Sequence, residues 1–143
     1  MAEGRRYPLL AQTVLDCLDV RPLAEFYREL LGLTYRPGDE EPNPDEDWLV
    51  LRDPNGGSEL AFQKVDQLPA PTWPDVTVPQ QLHLDLTVAT YDEFLEQHER
   101  AQALGARLLL DRSDDEDEPL RVYADPAGHP FCIFVSAGGG VTR

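Results

Sequence analysis

The sequence predicts an α+β fold of two tandem βαβββ modules, because one order of turns, strands and helix occurs twice along the chain. The turn Asp53-Pro54-Asn55-Gly56 is repeated 72 positions later as Asp125-Pro126-Ala127-Gly128, and a strand-like segment follows each copy. Leu15 matches Leu86, and Gly32 matches Gly105, at nearly the same spacing. Repeats of this length indicate structural units that share one core.

Residues 10–65 predict the first module as a strand, a helix and three further strands. Residues 12–18 are rich in β-branched and apolar residues, which favours a strand, and Pro22 suits the first turn of a helix. Gly32 stands where a C-terminal cap belongs. One face of this helix carries the apolar side chains Leu23, Phe26, Tyr27 and Leu30. The three later strands are predicted at 33–35, 48–51 and 59–65.

Residues 66–79 predict an extended linker, because prolines at 69, 71, 74 and 79 disfavour a helix or a central strand. The linker also carries Trp73, which could cover an opening. Residues 80–136 then repeat the first module. Polar and apolar residues alternate over 81–88, Thr90 and Glu93 form a capping-box signature, and the following helix is predicted to be two residues longer than the first.

The size of the chain predicts one domain over residues 10–136, with 1–9 and 137–143 as flexible tails. A chain of 143 residues that is 41% hydrophobic can form one ordinary core, whereas each half alone would bury too little surface. No apolar run approaches the ~20 residues of a membrane span, and no signal-peptide pattern follows the N-terminus. We therefore expect a cytoplasmic protein.

The net charge of −15 argues against nucleic acid and anionic membranes as partners, because the field of the protein repels phosphate. Acidic residues concentrate in 39–47 and 111–118, which we expect to be solvated, mobile loops. Cys17 and Cys132 are the two cysteines, and their isolated positions predict free, buried thiols.

Four motifs and the doubled order of elements together resemble the vicinal oxygen chelate superfamily, and within it the glyoxalase-like branch. The motifs are Leu15-Asp16-Cys17-Leu18-Asp19, Phe26-Tyr27 followed by Leu31-Gly32, His83-Leu84-Asp85-Leu86 and Asp125-Pro126-Ala127-Gly128. The resemblance implies curved mixed sheets around a shared ligand cavity, a small-molecule ligand and a homodimer. Members include metal-dependent lyases and isomerases, dioxygenases, fosfomycin-modifying enzymes and bleomycin-sequestering proteins, so the fold does not decide the function.

The resemblance also implies where a metal would be bound, since metal-bearing members take ligands from the first and last strand of each module. The corresponding positions are Gln12, Leu60, His83 and Cys132. Leucine has no donor atom, and the mixture that remains suits no common divalent ion, so a metal is possible but not favoured. Glu59 would reach the ligand face only if a bulge or the extra Gly57 shifted the strand by one residue. Gln12, His83 and Glu59 remain weak metal candidates.

His83 and Asp85 are the catalytic candidates, because the resemblance directs His83 into the cavity and Asp85 shares its strand face. The alternative is a histidine held by hydrogen bonds in a polar corner of the sheet. Cys132 is expected to be a wall and not a nucleophile, since no basic residue or helix start lies close in sequence. The predicted ligand cavity is lined by Gln12, Val14, Trp48, Leu60, Phe62, His83, Cys132 and Phe134, several of which could instead be core residues.

These observations leave three functional hypotheses. The first is a glyoxalase-like lyase or isomerase in which His83, together with Gln12 and with or without a metal, polarises an oxygen and moves a proton beside a carbonyl. The second is a non-enzymatic protein of the bleomycin-resistance type that sequesters a cationic or aromatic antibiotic. The third is an interaction module that takes no ligand.

Overall fold

The computed structural model describes residues 6–136, and within them eight strands and two helices follow the predicted order. The predicted tail 137–143 and residues 1–5 of the N-terminal tail lie outside the described residues. In chain order the elements are β1 (Gln12–Cys17), α1 (Val20–Leu31), β2 (Thr34–Tyr35), β3 (Trp48–Arg52), β4 (Glu59–Lys64), β5 (Leu84–Val88), α2 (Tyr91–Leu104), β6 (Arg107–Arg112), β7 (Leu120–Ala124) and β8 (Pro130–Val135).

Each module forms its own four-stranded mixed sheet. The strand orders are β1-β4-β3-β2 and β5-β8-β7-β6. In both sheets the first and last strands of the module pair in parallel, and the other neighbours are antiparallel. The predicted α+β fold of two βαβββ modules is therefore confirmed.

The two helices begin and end where the local signals predict. Thr90 caps α2 by accepting a hydrogen bond from the backbone N–H of Glu93 at 3.1 Å. Gly32 follows α1 and Gly105 follows α2, both in left-handed conformations. The helices contain 12 and 14 residues, which confirms the predicted difference of two. Neither helix is long and apolar enough to cross a membrane, as far as the described chain extends.

One hydrophobic core unites the two modules. Phe26 of α1 lies 5.8 Å from Phe131 of β8, measured between ring centroids. The largest buried side chains of this core come from both modules and are Tyr27, Phe62, Phe94, Tyr123 and Phe131. The two helices and one face of each sheet thus form the shared core. The other face of each sheet points away from this core.

We call these helix-free surfaces the first and second open faces. Successive side chains of a strand point to opposite sides of a sheet, so alternate residues share a face. Leu15 of β1 and Leu86 of β5 pack in the core or against it, which assigns their sequence neighbours to the open faces. The first open face includes Gln12, Val14, Asp16, Glu59 and Ala61, and the second includes His83, Asp85, Thr87, Cys132 and Phe134.

The first acidic loop is held against α1, in contrast to the mobile loop that its composition predicts. Arg21 of α1 binds both carboxylate oxygens of Glu46, with N···O distances of 2.6 and 2.9 Å. The same guanidinium donates to the carbonyl oxygen of Asp39 at 3.0 Å. The loop is therefore ordered by one basic side chain that the composition of the loop itself does not contain.

Candidate functional site

The second open face carries a pocket of about 270 Å³ beside His83. We call it the His83 pocket. Its walls come from the second module and the linker, and are formed by Trp73, Gln80, His83, Asp85, Leu120, Val122 and Cys132. Asp85 of β5 and His83, which immediately precedes this strand, thus share a small space with an aromatic ring and aliphatic walls, the composition that ligand sites usually have.

Strand pairing brings three polar side chains of this pocket together. Asp85 of β5 pairs directly with Cys132 of β8, and His83 lies two residues before Asp85 on the same face. The thiol of Cys132 donates to Oδ1 of Asp85 at 2.9 Å. Nε2 of His83 lies 3.2 Å from the same oxygen. The side chains of His83 and Asp85 are 51% and 60% exposed, so a ligand in the pocket could reach both.

The surroundings of Cys132 keep its thiol protonated. Burial, the hydrogen bond to Asp85 and the negative charge of Asp85 together raise the pKa of Cys132 to about 12. The thiolate is the nucleophilic form of cysteine. Near neutral pH Cys132 is therefore a hydrogen-bond donor to Asp85, and it lines the pocket.

His83 has one ring nitrogen held by a carboxylate and the rest of its side chain half-exposed. When Nε2 carries the proton toward Asp85, the lone pair of Nδ1 can accept a proton from a bound molecule. Carboxylate and imidazole together form a pair that can orient and move one proton. The geometry thus provides acid–base chemistry without an additional group.

The linker brings Trp73 to the pocket as part of a closed loop, whereas the sequence predicts an extended segment. The backbone N–H of Thr72 donates to the carbonyl of Val78 at 2.8 Å, and the N–H of Val78 donates to Oγ1 of Thr72 at 2.9 Å. Gln80 follows this loop, and its side-chain oxygen is buried without a hydrogen-bond partner in the described chain. Buried polar atoms normally have a partner, so this oxygen favours a polar occupant.

Leu60 and Phe62 do not line a cavity, so these two expectations are wrong. Phe62 is 0% exposed in the shared core, and Leu60 packs against that core. The open-face position opposite Gln12 is occupied by Glu59. Glu59 therefore reaches the face that the sequence assigned to Leu60.

The error has a simple cause in the repeat. Phe62 pairs with Leu15, whereas Ile133 pairs with Leu86. Because Leu15 and Leu86 are equivalent, the connection from the first Asp-Pro turn to its strand is one residue longer than in the second module. The extra Gly57 supplies that residue. It is one of the two causes, a bulge or an inserted glycine, that the sequence offered for such a shift. A shift of one residue exchanges the two faces of a strand.

The remaining candidates lie apart from the His83 pocket. Gln12, Val14 and Trp48 belong to the first sheet, and Phe134 lies on the second open face beyond Cys132 without lining the pocket. The sequence reasoning overlooked Leu120, Val122 and Gln80. Leu120 and Val122 pair with Phe134 and Cys132, so the alternation of β7 was a usable signal for them.

The donor groups do not fit a metal centre within one chain. Gln12 and Glu59 lie together on the first sheet, whereas His83 lies beside the second sheet. The residue opposite His83 is Pro130, at the start of β8, and its side chain has no donor atom for a metal. Among the described residues, no group of three or more His, Cys, Asp or Glu could hold a metal ion. We therefore derive no chemistry from a metal.

Known structures share this fold at low sequence identity. A glyoxalase/bleomycin resistance protein/dioxygenase family enzyme from Burkholderia phytofirmans PsJN is 19% identical and covers 90% of this chain and 98% of its own, with a TM-score of 0.67. A mutant of the fosfomycin resistance protein FosX from Listeria monocytogenes, in complex with Mn(II) and 1S,2S-dihydroxypropylphosphonic acid, is 16% identical over 92% and 95% of the two chains, with a TM-score of 0.67.

Lactoylglutathione lyase from Agrobacterium tumefaciens is 17% identical over 92% of this chain and 96% of its own, with a TM-score of 0.59. At these identities the similarity shows the fold alone. No curated protein matches the chain. A family model for the glyoxalase-like domain matches residues 12–134, which include every helix and strand except the last residue of β8. The chain therefore belongs to the glyoxalase-like domain family of the vicinal oxygen chelate superfamily.

Proposed function

We propose that this protein binds a small organic molecule in the His83 pocket and moves a proton on it with His83, as a lyase or isomerase would. The proposal rests on one observation: His83 and Cys132 both contact the same carboxylate oxygen of Asp85, and all three residues line a pocket large enough for a small ligand. Asp85 orients the imidazole, and the protonated thiol of Cys132 orients Asp85. Trp73 provides an aromatic wall for the body of the ligand.

The step requires only groups of this chain. Nδ1 of His83 accepts a proton from a carbon beside a carbonyl, while the imidazolium that forms is stabilised by Asp85. The same nitrogen returns the proton to a neighbouring atom of the ligand. Leu120 and Val122 provide apolar walls for the part of the ligand that lies beside this pair.

A second candidate function is sequestration of a cationic or aromatic antibiotic without chemistry. The half-exposed carboxylate of Asp85, the ring of Trp73 and the net charge of −15 favour a planar cation in the pocket. The two candidates share the site and differ in the fate of the ligand. Both proposals include a homodimer in the cytoplasm, and a monomer mass of 16.1 kDa by light scattering would contradict the dimer.

Calorimetry and a turnover assay separate the candidates. The probes are bleomycin, a planar aromatic cation and the hemithioacetal of phenylglyoxal. We expect Asp85→Asn to weaken binding of a cation about tenfold, because about 1.4 kcal/mol of attraction is lost. Glu59→Gln is the matched control, since it neutralises a carboxylate on the other open face and should leave binding unchanged.

The enzymatic candidate further requires that His83→Gln abolish turnover of the hemithioacetal and leave its binding within about threefold. Binding without turnover in the native protein would leave sequestration as the function. Absence of heat with every probe, or equal losses in Asp85→Asn and Glu59→Gln, would remove the proposal for this pocket.

A further inference from the structure

A second pocket, of about 340 Å³, lies where β1 meets the linker and shares no lining residue with the His83 pocket. We call it the linker pocket. Its walls are mostly apolar and include Val14, Leu68, Pro71, Val78 and Leu82. A space of this size with apolar walls is within the range that small organic ligands fill.

Two ionisable residues line this space from different modules. His129 Nε2 donates to the backbone carbonyl of Asp16 at 2.6 Å, since a carbonyl oxygen can only accept. Asp16 provides the only carboxylate of the lining and His129 the only base. No hydrogen bond or ion pair engages the Asp16 carboxylate within residues 6–136. The pocket therefore presents one available negative charge at the edge of an apolar surface.

The walls of the linker pocket are already in place without a ligand. Thr72 and Val78 close the linker loop by two backbone-directed hydrogen bonds. Ala70 packs on the turn at Gly128, where a Cβ at position 128 would lie 3.1 Å from the Cβ of Ala70. The prolines that flank the loop further restrict its backbone. Binding here would cost little ordering of the protein.

We propose that the linker pocket is a second ligand site, which takes a small molecule with an apolar body and a cationic group directed at Asp16. The apolar body contacts Leu68, Pro71 and Val78, and the cation reaches the Asp16 carboxylate. The acidic field of the protein raises the local concentration of such a molecule. A ligand site here does not require the function that we propose for the His83 pocket.

The linker loop couples the two sites. It contributes Val78 to the linker pocket and Trp73 to the His83 pocket, and the hydrogen bonds between Thr72 and Val78 connect these two positions. A ligand that packs on Val78 therefore restrains Trp73. The amide resonance of Trp73 should respond to occupancy of the linker pocket, while those of β7 should not.

The test uses amide NMR with two probes of the same shape, 4-phenylbutylamine and neutral 4-phenylbutanol. We expect the amine to shift the resonances of Val78, Leu82 and His129, and to bind at least fivefold more tightly than the alcohol. Asp16→Asn should remove this preference, whereas Asp66→Asn, an exposed linker carboxylate outside the lining, should retain it.

A steric pair tests the location. Leu82→Trp fills the pocket and should abolish the shifts, while Val76→Trp, at an 83% exposed position of the same linker, should not. Shifts centred on Asp85, equal affinities of amine and alcohol, or equal effects of Asp16→Asn and Asp66→Asn would overturn the proposal. Absence of any shift at millimolar amine would overturn it as well.

Discussion

The two copies of the Asp-Pro turn have the same local hydrogen bonds. In the first copy the Asp53 carboxylate accepts from the N–H of Asn55 at 2.8 Å, and the Asp53 carbonyl accepts from Gly56 at 2.9 Å. In the second copy the corresponding bonds from Ala127 and Gly128 to Asp125 measure 2.9 and 2.8 Å. The shared sequence therefore specifies one turn geometry in both modules.

The two copies differ in what surrounds them. Asp125 is 4% exposed, and its second carboxylate oxygen accepts from the hydroxyl of Tyr27 in the first module at 2.6 Å. His129, just after this turn, bonds to Asp16 of β1. The second turn thus joins the modules, whereas the carboxylate of Asp53 makes only its local bond within residues 6–136. A repeated motif keeps its local chemistry, and its place in the fold decides whether it also carries tertiary structure.

The sharpest test of this difference is the pair Asp125→Ala and Asp53→Ala. We expect Asp125→Ala to lower the free energy of unfolding by about 3 kcal/mol, because the buried Tyr27 hydroxyl and two backbone N–H groups lose their acceptor. Asp53→Ala should cost about 1 kcal/mol or less, the loss of one exposed hydrogen bond. Urea unfolding measures both, and equal losses would contradict the comparison.

The glycines of the two turns test the same difference with a smaller effect. Gly128 and Gly56 both have positive φ values, of 99° and 89°, so alanine is strained at either position. Of these two glycines, only Gly128 has a close neighbour in the described part of the chain, since an added Cβ would lie 3.1 Å from the Cβ of Ala70. We expect Gly56→Ala to cost about 1 kcal/mol and Gly128→Ala about 2 kcal/mol. Equal unfolding midpoints for the two variants would contradict this expectation, because they would show that Ala70 of the linker moves aside without loss of stability.

The smallest effect is the pH dependence of the buried carboxylate. Burial raises the pKa of Asp125 above its usual 3.8, although the hydroxyl of Tyr27 and the nearby His129 oppose this. A raised pKa in the folded state means that the contribution to stability is complete below the unfolded-state pKa and is lost as pH rises through the folded-state pKa. The stability advantage of the native protein over Asp125→Asn should therefore be largest at a pH below the unfolded-state pKa and decline as pH rises through the raised pKa of Asp125 in the folded state.

Unfolding of both proteins at several pH values measures this advantage. The same difference for Asp53→Asn corrects for the change in net charge that both substitutions cause. An advantage that grows with pH would reverse the sign and contradict the buried, costly ionisation of Asp125.

Local signals predicted most of the fold because they act within a few residues. The Thr90 cap, the glycine after each helix and the alternation of the strands each depend on nearby backbone atoms, and each is found where predicted. The doubled order of elements then limited the topology to two similar sheets. The same signals placed His83 and Asp85 on one strand face.

The errors in the site came from register and from long-range contacts. One additional residue before β4 moved Phe62 into the core and Glu59 onto the open face. The bond between Tyr27 and Asp125 joins residues 98 positions apart, and no local pattern specifies it. Gln80 shares its pocket with Leu120, Val122 and Cys132, which are distant from it in the sequence.

The sequence by itself determined the secondary structure, the duplication and the glyoxalase-like fold, because helix caps, side-chain periodicity and turn residues are properties of short segments. Only the tertiary structure decided that Cys132 bonds to Asp85, that the linker forms a wall of two separate pockets, and that one Asp-Pro turn joins the modules. These features depend on strand register and on contacts between the modules. Such contacts arise from the packing of the whole chain into one core, and a single inserted residue changes them.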